Sequence, residues 1–107
     1  MTEMLTIPGI PERASAPLLQ LCQQAPGVME VWLFGSRAMG RQREGSDLDL
    51  CLVGKSITHV DRLRLMQAID ELLLPWSVDL VLRHELPPEL LDHLVRVGRC
   101  LWKRSEG

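Results

Sequence analysis

Apolar residues change their spacing several times along this chain, and each change marks an element. Ala14, Leu18, Leu21, Cys22 and Ala25 recur at helical spacing, which predicts a first helix opened by Pro11 and ended by Pro26 and Gly27. Val28 to Phe34 is apolar and rich in strand formers apart from Glu30, and it stops at Gly35, so a buried strand is expected there. The chain then turns back from Gly35 to Arg43, beginning with a short helix. Leu48, Leu50 and Leu52 alternate with Asp47, Asp49 and Cys51, a period of two that gives a second strand one apolar face and one face carrying carboxylates.

Between His59 and Leu74, the positions Leu65, Met66, Ile69, Leu72 and Leu73 form an amphipathic stripe that Pro75 closes. Val78, Leu80 and Leu82 alternate with Asp79, Val81 and Arg83, so a third strand shows Asp79 on the face opposite its leucines. If the leucines of both strands face the helices, all three aspartates share the open side of one sheet. A Pro87 and Pro88 start precedes a helical run from Glu89 to Val97, and Cys100 to Trp102 adds an edge strand. Residues 1–10 read as an irregular lead-in. With no internal repeat or low-complexity tract, 107 residues are expected to form one domain.

Composition narrows the class. Hydrophobic residues at 46% and charged residues at 24% are ordinary for a soluble globular protein. No apolar run approaches the roughly 18 residues of a membrane span, and the N-terminus lacks the pattern of a signal peptide, so the cytoplasm and no membrane contact are expected. Cys22, Cys51 and Cys100 lack CxxC spacing and read as reduced thiols, and His59, His84 and His93 are too scattered for a histidine metal centre. A net charge of -2 argues against direct nucleic-acid binding, as does the spacing of Trp32, Trp76 and Trp102, which makes no stacking platform for bases. Locally, however, Arg37, Arg41 and Arg43 crowd a segment just before two aspartates. Cations beside carboxylates suggest phosphate together with metal.

Two carboxylates at i and i+2 on a strand lie about 6.5 to 7 Å apart at the Cα level and point the same way. At ~5 Å and an effective dielectric of ~20, two such charges repel by about 3 kcal/mol, so a buried cluster of Asp47, Asp49 and Asp79 calls for a counter-charge. Hard oxygen ligands favour magnesium or manganese. Gly35 and Ser36 follow a strand directly, so their backbone amides and the Ser36 hydroxyl can meet a phosphate. The Gly35 to Gly40 spacing imitates a Walker loop, but Arg41 and Gln42 stand where that motif needs Lys and Ser or Thr. Singly, each aspartate reads as a solvated charge and Arg41 and Arg43 as a solvated loop. It is the combination beside a Gly-Ser turn that points to metal binding or catalysis.

The run GSRAMGRQREGSDLDL, followed about thirty residues later by SVDLVL, resembles the DNA polymerase β superfamily of nucleotidyltransferases, and most closely its minimal nucleotidyltransferase branch. The resemblance spans Leu18 to Trp102. It implies an α/β (α+β) polymerase β-like fold: a small mixed sheet with helices packed on one face and the active site on the other. By resemblance, Gly35 and Ser36 hold the triphosphate, Arg37 neutralises phosphate charge, and Ser46 joins the nucleotide-binding set. Asp47 and Asp49 bridge two magnesium ions, with manganese as a substitute, and Asp79 binds the catalytic ion and helps activate the acceptor hydroxyl. ATP is the implied substrate. Kin that modify antibiotics or extend nucleic acids carry a further acceptor-binding domain, for which no residues are expected to remain here. Minimal nucleotidyltransferases are commonly paired with a HEPN protein, a helical ribonuclease toxin whose tyrosine the antitoxin adenylylates. That pairing is the leading expectation, and a catalytically silent antitoxin that neutralises by binding alone is the alternative. Met39 and Gly45 depart from the usual residues of these relatives without touching the implied ligands.

Overall fold

A computed structural model describes residues 7–43 and 45–105. The leucine alternation is realised as a four-stranded sheet in the order β3-β2-β1-β4. Here β1 is Glu30–Phe34, β2 is Leu48–Val53, β3 is Val78–Leu82 and β4 is Arg99–Lys103. β1 pairs antiparallel with both β2 and β4, while β2 and β3 run parallel, so the sheet is mixed as expected. A parallel pair needs a crossover, and α3, His59–Asp70, supplies it. The other helices are α1, Glu12–Gln24, a single turn α2, Gly35–Ala38, and α4, Pro88–Val97.

One face of the sheet carries the core. Val31, Leu33, Leu48, Leu50, Leu52, Leu80 and Leu82 are buried against Leu18, Leu19 and Cys22 of α1 and Leu65 and Ile69 of α3. Each such leucine contributes roughly 1.5–3 kcal/mol of burial, and a slip of one residue would turn the whole ladder to solvent. The register of β2 against β3 is therefore set by leucines, and the aspartates on the opposite face follow it.

Three details differ from the sequence pattern. The stripe expected to reach Leu74 stops being helical at Asp70: Leu72 and Leu73 donate to the Ile69 and Asp70 carbonyls in tight turns, and Leu73 takes a φ of 53°. Leu72 and Leu74 still pack on the core, but Leu73 is 87% exposed. The first strand starts at Glu30 instead of Val28, although Met29 already donates to the Val53 carbonyl. Finally, α1 and α3 cover the leucine face as expected, but α4 lies toward the other face. Its Leu94 lines a cavity of about 340 Å³ with Glu30, Trp32 and Val53, whose strand positions share the parity of Asp49. Of the irregular lead-in, residues 1–6 lie outside the described residues, while Ile7 and Ile10 are buried in the core.

Candidate active site

β1 delivers Phe34 opposite Asp49 of β2, and the chain turns at once into α2. That turn requires Gly35. Its φ is 74°, and a Cβ there would overlap the Asp49 Oδ2. Backbone thus approaches a carboxylate more closely than any side chain would permit. Parallel pairing sets Asp49 beside Asp79 on adjacent strands, which lie about 4.8 Å apart. Asp47 stands just before β2 on the same parity. Asp47 and Asp79 are exposed and Asp49 is half-buried.

The electrostatics reflect this crowding. Burial pushes the Asp49 carboxyl above its ordinary value, and the charges of Asp79 and Asp47 push it further the same way. Three mutually repelling carboxylates with hard oxygen donors suit a divalent cation. Among the described residues, however, no three His, Cys, Asp or Glu side chains converge closely enough to form an ion cage by themselves. An ion held here would need oxygens from a second molecule, and phosphate provides such oxygens.

Ser36 is half-buried beside Gly35 at the start of α2. Arg37 occupies a different environment from the one its charge suggested. It is 2% exposed, and its Nη1 and Nη2 donate to the carbonyls of Pro8 and Ser46, each at 2.8 Å. The expected open cation is a buried brace. The Ser46 hydroxyl accepts from the Arg43 amide at 2.7 Å, which leaves its own O–H to donate. Arg41 and Arg43 are exposed.

The sequence pattern gave no hint of two surroundings of this site. A groove of about 400 Å³ runs from Asp79 past His59 and Arg62 to Leu86 and Leu90. Arg62 donates to the Leu80 carbonyl there, at 3.1 Å. Arg62 stands three and four positions before Leu65 and Met66, at the start of the apolar stripe, and spacing alone does not say which strand it meets. A second cavity, about 530 Å³, lies between Gly9, Arg37, Gln42, Arg43 and Trp76.

The family model described as "Polymerase beta, Nucleotidyltransferase" matches residues 17–107. The chain belongs to this nucleotidyltransferase family. Among relatives, it is 40% identical over 62 residues to the probable protein adenylyltransferase MntA of Haemophilus influenzae, a match that covers 57% of this chain and 54% of that protein. The chain thus spans about half the length of the curated relative it matches. Among solved structures, a toxin-antitoxin with AMP-PNP is 27% identical with a TM-score of 0.69, covering 89% of this chain and 75% of that one. A minimal nucleotidyltransferase is 38% identical with a TM-score of 0.63, covering 81% and 87%. These two solved structures are similar in fold to this chain.

Proposed function

We propose that this nucleotidyltransferase moves AMP from ATP to a hydroxyl of a partner protein, a tyrosine of a HEPN toxin, and so acts as the antitoxin of a toxin-antitoxin pair. The observation that carries the reading is the parallel register of Asp49 with Asp79, joined to a Gly35 that gives its Cβ space to Asp49. The likeness to an adenylyltransferase and to a toxin-antitoxin with AMP-PNP supports the nucleotide and the partner class.

In this reading the Gly35 and Ser36 amides and the Ser36 hydroxyl hold the triphosphate at the end of β1. Asp47, Asp49 and Asp79, completed by phosphate oxygens, would hold two magnesium ions, and manganese could replace them. When bound, such ions supply the counter-charge for the carboxylates and for the phosphate charge that shifts during in-line displacement. Asp79, exposed where its groove begins, orients the acceptor hydroxyl. The acceptor hydroxyl passes its proton to the Asp79 carboxylate as its oxygen forms a bond to the α-phosphorus and the bond to pyrophosphate breaks, and pyrophosphate leaves with the electron pair. A single-domain organisation and a cytosolic setting, where ATP is plentiful and thiols stay reduced, belong to the same proposal. No helix among the described residues is long and apolar enough to cross a membrane.

Intact-mass spectrometry of a HEPN-domain partner, after incubation with this protein, ATP and magnesium, tests the reading. Added AMP units should appear and should vanish with the Asp47→Asn, Asp49→Asn double variant. Equal AMP incorporation by that variant would sink the proposal. An antitoxin that acts by binding alone is the second reading. It predicts full neutralisation by the same double variant.

A further inference from the structure

We infer that Arg37 and the segment Ile7 to Ile10 form a clasp that positions Asp47, so that Arg37 serves the site through the loop before β2 and not by touching phosphate. The inference rests on the proposed function for what Asp47 does, while the clasp itself rests on geometry.

A guanidinium withdrawn from water is costly unless its donors are satisfied. Arg37 is buried, and among the described residues its hydrogen-bond partners are two main-chain carbonyls. They belong to segments on opposite sides of it, Pro8 in the lead-in and Ser46 at the end of the loop. The Ser46 carbonyl shares a rigid peptide plane with the Asp47 nitrogen. Holding that oxygen therefore sets the direction in which Asp47 enters β2. The other hydrogen bonds of the loop are local: Arg41 N to the Ser36 carbonyl, Ser46 N to the Arg43 carbonyl, and Arg43 N to the Ser46 hydroxyl. They shape the loop, but Arg37 is what ties it to the lead-in.

The lead-in is built to receive Arg37. Ile7 is 1% exposed and Ile10 is also buried, so the segment is pinned to the core at both ends. Between them Gly9 adopts a φ of 78°, and a Cβ on it would stand 2.9 Å from Arg37 Nη1. The guanidinium lies against backbone that only glycine leaves bare. The family match begins at residue 17. The lead-in half of the clasp thus comes from outside the matched region, while Arg37 and the loop it holds lie inside it. Each terminal nitrogen of Arg37 spends one of its two hydrogens on these carbonyls, which fixes the guanidinium in the loop, and its buried Nε has no partner among the described residues.

Amide hydrogen exchange of Arg41, Arg43 and Ser46, and calorimetric binding of AMP-PNP with Mn²⁺, test this in Arg37→Met and Ile7→Ala. Both variants should exchange these amides about tenfold faster than wild type while α3 amides are unchanged. Both should also lose about tenfold in Mn²⁺ affinity, the usual cost of losing a group that orients a ligand. Loss in Arg37→Met with wild-type behaviour in Ile7→Ala would overturn the clasp in favour of direct phosphate contact. Should Ile7→Ala loosen α3 as well, Arg37→Lys decides. It keeps the charge but not the fork, so the clasp predicts loss and phosphate contact predicts retention. A wild-type protein that binds no AMP-PNP would overturn the functional reading and leave the loop amides to judge the clasp.

Discussion

Asp49 carries an electrostatic penalty that the apo protein cannot relieve. Its carboxyl is pushed above the ordinary value first by burial and then by Asp79 and Asp47. A folded-state pKa raised above the unfolded one contributes stability that is fully present below the unfolded pKa and is lost as pH rises through the folded one. Asp49→Asn should therefore raise the metal-free Tm at neutral pH, and the gain should disappear in acid below the ordinary aspartate range. Thermal melts at the two pH values check this. Gly35 bears the complementary constraint. Alanine there meets both a left-handed φ and the Asp49 carboxylate, so Gly35→Ala should cost about 2 kcal/mol in urea unfolding and abolish binding of AMP-PNP with Mn²⁺.

At the scale of elements, α3 is defined more sharply at its start than at its end. Thr58 and Asp61 form a reciprocal capping box, with the Thr58 amide donating to Asp61 at 2.9 Å and the Asp61 amide to the Thr58 hydroxyl at 3.1 Å. Thr58→Ala should cost about 1 kcal/mol in urea unfolding. The far end has no such signal, and there the apolar stripe misled: Leu72 and Leu74 are core residues, yet they reach the core from a turn. Periodicity reports which residues are buried, not the backbone that brings them there. By contrast β3 was legible in full, since Val78, Leu80 and Leu82 recur at every second position, with Asp79 and Arg83 on the other parity. The aspartates were legible for the same reason: period two fixes the face of Asp47, Asp49 and Asp79 once the leucines are buried. Arg37 was not. A guanidinium reads as an exposed charge unless the carbonyls that bury it are known, and Pro8 lies 29 positions away.

At the scale of the whole molecule, long-range contacts close the structure around β1. Arg104 donates to the Val28 and Gln23 carbonyls and lies over the Trp102 ring at 5.1 Å, tying the end of β4 to the entry of β1. Burial also protects the thiols. The thiols of Cys22 and Cys51 are pushed up to about 12, and Cys100 is only partly covered. Thiolate is the reactive form, so a thiol reagent at neutral pH should modify Cys100 slowly and the other two only after unfolding, as peptide mass mapping would reveal.

The position of β1 between β2 and β4 also bears on how the protein is made. Both carboxylate strands are complete once residue 82 has left the ribosome, yet β1, from which Gly35 hangs, still has one bare edge until Arg99–Lys103 emerges. Nascent chains arrested on either side of that point should differ sharply in protease resistance at β1. The candidate nucleotide site would then be acquired only once β4 has emerged, well after its own carboxylates have been made.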